Sequence, residues 1–310
     1  MPCHDEAVSE DPPVEPAHVG APVASIVIPA HNEERTIARC LRAILFDARP
    51  GEFEVIVVPN GCSDRTAEVA RALRAGIRVI EIATASKQSA LRAGDETTTC
   101  LPRVYVDADV EIDTASLRLL LAPLADGAVH ATAPERILPR DGVAPLVRWY
   151  YDVWERLPQV RAGLFGRGVI ALSAVGWEQV RALPPAMSDD LVISETFAAH
   201  ERQVVPGTRV VIRPPRTVRD LIRRRTRVAT GNAQADATGR RSADATTSLG
   251  GLARLVVAEP RLALRLPVFL SIAAWARLAA WRPVRSGDFQ TWPRDESSRA
   301  PSPPGAAVQP

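Results

Sequence analysis

The sequence predicts an α/β fold in which a mostly parallel sheet is flanked by helices and followed by a C-terminal helical appendage. Three observations predict it. Short β-branched runs alternate with helical stretches over residues 23–125, as in successive βαβ units. The 310 residues are 46% hydrophobic and 24% charged, which is the composition of a globular chain. Residues 249–282 form an apolar stretch punctuated by arginines, which reads as helical.

The elements of the first half follow from local patterns. The first strand, residues 24–28, stops at Pro29, and a helix follows with Ile37, Leu41 and Ile44 on one face. Ser63-Asp64 is a plausible N-cap for the second helix. The predicted elements are strands over 24–28, 53–58, 78–82 and 103–106 and helices over 34–45, 65–75 and 87–98.

Composition limits the functional classes. The net charge is only +2, and no aromatic residues alternate with the arginines, so we expect no nucleic-acid partner. Four cysteines form no C-x-x-C pair, which argues against a zinc ribbon and favours a reducing cytoplasm. The N-terminal stretch does not resemble a signal peptide, and no run of 18 uncharged apolar residues is present. A P-loop and a dinucleotide-binding glycine motif are absent.

Ligands of a parallel sheet bind outside the carboxyl ends of its strands, so the residues after each strand matter most. The tripeptide Asp107-Ala108-Asp109 follows the fourth strand. In extended backbone both carboxylates point to the same side, with the small Ala108 between them. Hard oxygen ligands of this kind suit Mg²⁺ or Mn²⁺ carrying a diphosphate.

Four segments together resemble family 2 glycosyltransferases of the GT-A fold. They begin at Ser25 (SIVIPAHNEE), Val57 (VVPNGCSDRT), Ser86 (SKQSALRAG) and Asp107 (DAD), in the order and spacing of that family. The resemblance implies an inverting enzyme that uses a nucleotide sugar. Residues 23–125 would be its nucleotide-sugar half and residues 126–235 its acceptor-binding and catalytic half.

The resemblance also implies roles for individual residues. It places Pro29, Ala30 and Glu33 at the base and ribose, Asn60 beside the base, and Lys87 near the base or the phosphates. Asp107 would contact the ribose or the metal shell, and Asp109 would ligate the metal. Relatives usually have a carboxylate at Asn60 and often an asparagine at Arg92, which leaves the base open, with UDP favoured over GDP.

A second acidic pair, Asp189-Asp190, resembles the Glu-Asp motif of the family. Inverting transfer needs a base for the acceptor hydroxyl. A neighbouring carboxylate raises the pKa of a carboxylate, which suits it to act as this base. Of the two residues, Asp190 is the better match to the family motif. The alternative is that Ser188-Asp189-Asp190 caps a helix, and both interpretations can hold.

Arg224 and Arg227 match the first and fourth places of the family's Gln/Arg-x-x-Arg-Trp segment, with Val228 in place of Trp. Arginine forks there would neutralise the diphosphate leaving group. An exposed arginine-rich surface is the alternative. Gly231-Asn232 reads as a turn.

The last third leaves two interpretations open. Residues 236–285 form the helical appendage, and residues 249–282 within it either pack on the catalytic half or dock on anionic lipid at the inner face of the cell membrane. Residues 1–22 and 286–310 read as disordered tails. The acceptor would be a glycan or a lipid-linked molecule, as in synthesis of a cell-envelope polysaccharide. Two rivals are a non-catalytic nucleotide-sugar-binding protein of the same fold and a membrane-surface scaffold.

Overall fold

A computed structural model of the chain describes residues 20–73, 76–286 and 297–298. Most of the two tails predicted to be disordered lies outside the described residues, and so does Cys3. Cys40, Cys62 and Cys100 are free thiols.

The first half is a succession of βαβ units, as predicted. Its strands run parallel to one another because each is followed by a helix that returns the chain to the same edge of the sheet. The elements are β1 (Ala24–Ala30), α1 (Ile37–Leu45), β2 (Phe53–Pro59), α2 (Thr66–Leu73), β3 (Ile77–Val79), α3 (Lys87–Thr97) and β4 (Arg103–Val106). Strand β1 continues past the predicted end at Ile28, since the fixed φ of Pro29 is compatible with extended backbone.

The second half adds four strands and breaks the parallel pattern. The elements are β5 (Val110–Ile112), α4 (Thr114–Leu121), β6 (Ala131–Ile137), α5 (Pro145–Trp154), α6 (Pro158–Ala162), β7 (Val169–Leu172), α7 (Ala174–Arg181), α8 (Asp189–Thr196) and β8 (Arg202–Ile212). The sheet has the order β3-β2-β1-β4-β7-β6-β8-β5. Strand β7 runs antiparallel to both β4 and β6, whereas β6 and β8 run parallel to each other.

Helix α3 lies unusually close to the sheet. A Cβ placed on Gly94 would come within 2.4 Å of Val27 Cγ1 on β1, so only glycine fits there. Ser86 caps the start of this helix by accepting a hydrogen bond from the Ser89 amide. The sequence motif around Lys87 therefore fixes the position of the helix as well as supplying its lysine.

Three α-helices follow the sheet within the described residues: α9 (Val218–Ala237), α10 (Leu249–Ala258) and α11 (Leu266–Ser286). The predicted turn at Gly231-Asn232 is wrong, because both residues lie inside α9. Glycine occurs there because α9 packs against Ser188: a Cβ on Gly231 would lie 2.1 Å from Ser188 Oγ. Pro267 does not interrupt α11 but lies in its first turn, where its missing N–H costs nothing.

Helix α11 packs on α5 and α9 through one face. Phe269, Ile272, Ala276 and Ala280 are buried, and the Phe269 ring stacks on Tyr150 of α5 with centroids 5.1 Å apart. For this face of α11, the structure agrees with the packing interpretation of residues 249–282. Within the described residues, no helix combines the length and the apolar character needed to cross a membrane.

Candidate active site

The carboxyl ends of β1, β2 and β4 lie side by side, because the three strands are parallel neighbours in the sheet. Pro29 and Ala30 end β1, and Asn60 follows β2. The Asn60 amide donates hydrogen bonds to the Ala30 and Val58 carbonyls and is buried. Glu33 is also buried and accepts a hydrogen bond from Thr36 Oγ1 at 2.7 Å. Contacts of these four residues with a nucleotide stay a prediction.

Asp107 and Asp109 follow β4 in a tight turn. The Val110 amide donates to the Asp107 carbonyl at 3.3 Å, so the extended geometry predicted for this tripeptide is wrong. The chain bends here because it must enter β5 directly afterwards. Gly168 lies against the turn and accepts through its carbonyl a 2.7 Å hydrogen bond from the Asp107 amide. A Cβ on Gly168 would lie 2.6 Å from Val110 Cγ1, so glycine is required.

Lys87, at the start of α3, joins the two acidic segments. Its Nζ lies 2.7 Å from Asp107 Oδ1 and 2.9 Å from Asp189 Oδ2. Burial works against the charged ammonium, but the negative charges of Asp107 and Asp189 outweigh it and raise the pKa of Lys87. Lys87 therefore carries its charge at neutral pH and neutralises two carboxylates that would otherwise repel each other.

Asp190 is held by residues 163–168, a glycine-rich segment that precedes β7. Its Oδ2 accepts a 2.6 Å hydrogen bond from the Gly166 amide, and its Oδ1 accepts one from Leu191 at 2.8 Å. Burial raises the pKa of Asp190, and the charge of Asp189 adds to the rise, whereas the Gly166 hydrogen bond opposes it. Asp190 is thus a fixed carboxylate whose proton affinity exceeds that of an ordinary aspartate.

The structure brings together most of the acidic residues that the sequence singled out. Asp107 and Asp189 share Lys87, and the charges of Asp109 and Asp190 act on Asp107 and Lys87 respectively. Asp189 and Asp190 begin α8, as the helix-start interpretation predicted, although Ser188 makes no side-chain capping bond; the catalytic role of the pair stays a prediction.

Arg224 and Arg227 lie one turn apart in α9 and are half-buried. They precede Gly231 on the same helix by seven and four residues, which puts all three on one face. Gly231 contacts Ser188, so this face is the one that approaches Asp189 and Asp190. Their contact with a diphosphate stays a prediction.

Arg136 of β6 was not singled out from the sequence. Its guanidinium lies 4.6 Å from the centroid of the Trp154 ring, and its buried Nη1 has no hydrogen-bond partner among the described residues. Burial lowers the pKa of Arg136 to about 10, while the charges of Glu155 and Asp190 act in the opposite direction. No local pattern marks this arginine, because its proximity to Asp190 depends on how β6 and the glycine-rich segment pack.

The side chains that follow β4 are of a type that binds divalent cations. Asp107 and Asp109 offer the carboxylate oxygens that Mg²⁺ and Mn²⁺ prefer. No set of three or more His, Cys, Asp or Glu side chains in residues 20–73, 76–286 and 297–298 is arranged to hold a metal by itself. A cation at this place would therefore complete its coordination with oxygens from a ligand and from water.

Comparison with known proteins agrees with this geometry. Residues 25–166 match the model of glycosyl transferase family 2. The match spans less than half of the chain. The matched region covers β1 to α6 and includes Lys87, Asp107 and Asp109, whereas Asp189 and Asp190 lie beyond it.

Two curated relatives and one solved structure extend the comparison. Glycosyltransferase AglE of Haloferax volcanii is 35% identical over 77 residues, 24% of this chain and 25% of AglE. Glycosyltransferase AglD of the same organism is 32% identical over 123 residues, 37% of this chain and 20% of AglD. The chain therefore matches only a quarter and a fifth of these relatives' length.

The mannosyltransferase PcManGT from Pyrobaculum calidifontis, solved in complex with GDP-Man and Mn²⁺, superposes with a TM-score of 0.63. It is 20% identical, and the alignment covers 90% of this chain and 92% of PcManGT. The likeness shows a shared fold, which is the GT-A fold predicted from the sequence.

Proposed function

We propose that this chain is an inverting glycosyltransferase that moves a sugar from a nucleoside-diphosphate sugar to an acceptor hydroxyl with the help of a divalent cation. The observation that carries the proposal is the meeting of two acidic segments, 82 residues apart in sequence, at the single ammonium of Lys87. Such a cluster at the carboxyl ends of parallel strands is where this class of fold binds ligands.

Asp109 and Asp107 would hold the cation. A divalent cation bound there would neutralise the charge of the diphosphate as it leaves. Lys87, Arg224 and Arg227 are the positive side chains that this part of the chain offers to the same phosphates. Pro29, Ala30, Glu33 and Asn60 would surround the base and ribose.

Asp190 would serve as the base. The acceptor oxygen forms a bond to the anomeric carbon while the bond from that carbon to the diphosphate oxygen breaks. The hydroxyl proton passes to Asp190, and the bonding electrons leave with the nucleoside diphosphate. Asp190 is favoured over Asp189 because backbone amides fix its orientation and burial raises its pKa, whereas Asp189 is occupied by Lys87.

The identity of the nucleobase in the sugar donor is not assigned. The sequence favoured UDP over GDP, but PcManGT, which shares the fold, was solved with GDP-Man. The test is therefore release of nucleoside diphosphate from a panel of UDP-, GDP- and dTDP-sugars with Mn²⁺ or Mg²⁺. We expect release with one donor class, lost at least roughly a hundredfold in Asp109→Asn and in Asp190→Asn.

The matched control is Asp126→Asn, since Asp126 is exposed and lies in the connection between α4 and β6, outside the acidic segments. It should keep the native rate. Release that is unchanged in Asp109→Asn, or absent with every donor, would contradict the proposal. Saturable donor binding without any release would instead favour the rival, a non-catalytic nucleotide-sugar-binding protein.

We also propose that the outer face of α10 and α11 rests on an anionic phospholipid bilayer. Trp275, Leu278 and Trp281 on this face are 61%, 72% and 58% exposed. Residues 249–286 contain six arginines and one acidic residue, Glu259, which is paired with Arg156 and Arg261. Arg265 also pairs with Asp152, but the segment still has five more arginines than acidic residues. Exposed tryptophans in such a positively charged segment suit the headgroup region of an anionic bilayer, where each arginine contributes about 1 kcal/mol of attraction.

Flotation of the full chain tests this contact. The chain should float with vesicles of phosphatidylglycerol and phosphatidylcholine, less so with phosphatidylcholine alone or at 0.5 M salt. A variant with serine at Trp275, Leu278 and Trp281 should stay at the bottom. Equal flotation of this variant and the native chain would refute the contact, and flotation without donor hydrolysis would favour the scaffold rival.

A further inference from the structure

Glu111 lies at the centre of an ion-pair network next to the proposed cation site. It is the middle residue of β5, two residues after Asp109. Val110 and Ile112 on either side of it are buried, whereas Asp109 and Glu111 are both half-buried. Side chains alternate between the two sides of extended backbone, so this pattern places Glu111 on the same side of the chain as Asp109.

Two arginines share one oxygen of Glu111. Arg39 Nε, from α1, lies 2.8 Å from Glu111 Oε1, and Arg213 Nη1 lies 2.6 Å from the same atom. Arg213 directly follows β8, whose last residue pairs with the first residue of β5. The network therefore joins α1, β5 and β8 beside the turn that carries Asp109, and it gathers two positive charges on a single carboxylate.

Arg39 belongs to the part of α1 that contacts this turn. The next residue, Cys40, is buried, and its thiol donates a 3.8 Å hydrogen bond to the Asp107 carbonyl. Burial lowers the pKa of Arg39, and the negative charges of Glu111 and Asp109 oppose this shift. The Arg39 guanidinium is therefore within electrostatic reach of both carboxylates, and it is paired with Glu111.

The Arg39 guanidinium also has a donor that it does not use. Its Nη2 is buried and donates to no group in the part of the chain that the structure describes. A buried N–H without an acceptor is unfavourable, and a carboxylate in a new position could supply one. Loss of the Glu111 charge would therefore favour movement of Arg39 towards Asp109, whose charge already acts on it.

We propose that Glu111 is a positioning residue of the cation site, which keeps the Arg39 guanidinium on itself and off Asp109, the proposed cation ligand. The inference rests on the proposed function and adds a residue that touches neither the donor nor the reacting atoms. An arginine paired with Asp109 would compete with a divalent cation, because it would occupy the same carboxylate oxygens and repel a second positive charge.

Binding of Mn²⁺ in the presence of UDP or GDP tests this without any turnover. The electron paramagnetic resonance signal of free Mn²⁺ is followed as the full chain is added, and urea unfolding shows whether each variant is folded. We expect Glu111→Gln to weaken Mn²⁺ binding at least roughly tenfold. Adding Arg39→Met to this variant removes the competing guanidinium, so the double variant should recover most of the native affinity.

The recovery distinguishes positioning from a merely structural role, in which a second change would only add damage. Arg39→Met alone should bind Mn²⁺ at least as tightly as the native chain. The matched control is Glu52→Gln, because Glu52 also pairs with an arginine, Arg118, but lies in the connection between α1 and β2. It should bind Mn²⁺ like the native chain. If Glu111→Gln fails to fold, the shorter Glu111→Asp takes its place, with the same loss and recovery expected.

The inference is overturned if a folded Glu111 variant binds Mn²⁺ as the native chain does, if Arg39→Met brings no recovery, or if Arg39→Met alone weakens binding. Loss of folding in both Glu111 variants would also overturn it, because Glu111 would then serve stability alone. Failure of the proposed function is a separate result. The native chain itself would then bind no Mn²⁺ with either nucleotide and release no nucleoside diphosphate from any donor, and the inference would fall with it.

Discussion

The packing of α9 on the start of α8 predicts that Gly231→Ala impairs the candidate active site and lowers the free energy of unfolding by about 2 kcal/mol at most. In an ordinary helix interior this substitution stabilises a protein by about 1 kcal/mol. Here the new methyl group would lie 2.1 Å from Ser188 Oγ, 3.0 Å from its Cβ and 3.1 Å from its amide nitrogen. Rotation of the hydroxyl relieves only the first contact, so the backbone of Ser188 must move as well.

The magnitude follows from these contacts. Overpacking of this kind costs about 1–3 kcal/mol, from which the helix gain of about 1 kcal/mol is subtracted. The free energy of unfolding should therefore fall by about 2 kcal/mol at most. Ser188 immediately precedes Asp189 and Asp190, and a displacement of about 1 Å at reacting groups costs about a hundredfold in rate. We expect donor release to fall at least roughly tenfold.

Urea unfolding measures the first effect and nucleoside-diphosphate release the second. Ser188→Gly removes the Cβ and Oγ that collide, and Ser188 makes no capping bond that would be lost, so the double variant should recover most of the rate. Gly250→Ala is the matched control. A Cβ at Gly250 in α10 meets nothing within 4 Å, so this variant should keep the native rate. Native activity in Gly231→Ala would refute the argument that α9 positions the acidic pair.

Two further predictions concern ion pairs. Lys87→Met leaves Asp107 and Asp189 facing each other without their shared cation, so the urea midpoint should fall by the equivalent of about 1–3 kcal/mol, between the values for an exposed and a buried ion pair; an unchanged midpoint would show that the pairs are not formed in solution. The Arg118 hydrogen bonds lower the pKa of Glu52 to about 2, so Glu52→Gln should cost about 1–2 kcal/mol at pH 7. Because the native pKa is the lower one, this difference should persist above about pH 4.5 and shrink as the pH falls towards 2; a difference that grows in acid would contradict it.

The first half of the fold could be predicted closely because its signals are local. The fourth strand was predicted over 103–106 and is found there, since a short apolar run bounded by Pro102 and Asp107 leaves little choice. The motif residues then follow from the parallel topology, which brings the ends of β1, β2 and β4 to one edge.

The second half could not be predicted in the same way. Strand β7 inserts between β4 and β6 in antiparallel orientation, an arrangement decided by pairing over tens of residues rather than by any local pattern. The glycine at 231 has the same origin. Its residue type suggests a turn, but its cause is the close approach of α9 to Ser188, which only the tertiary structure contains.

In the candidate site, too, the sequence indicated individual residues but not the contacts between distant segments. The sequence indicated Asp107, Asp109, Asp189 and Asp190 by residue type and motif. It did not indicate that Lys87 bridges two of them, nor that the Gly166 amide fixes Asp190. These contacts join segments that are distant along the chain, so no spacing rule contains them.

Binding of Mn²⁺, followed by its electron paramagnetic resonance signal as protein is added in the presence of UDP or GDP, tests the central claim most directly. The claim is that the carboxylates after β4 hold a cation shared with a nucleoside diphosphate. We predict saturable loss of the free Mn²⁺ signal that requires the nucleotide, is at least roughly tenfold weaker in Asp109→Asn, and is native in Asp126→Asn. Equal Mn²⁺ binding by the native chain and Asp109→Asn, with either nucleotide, would contradict it.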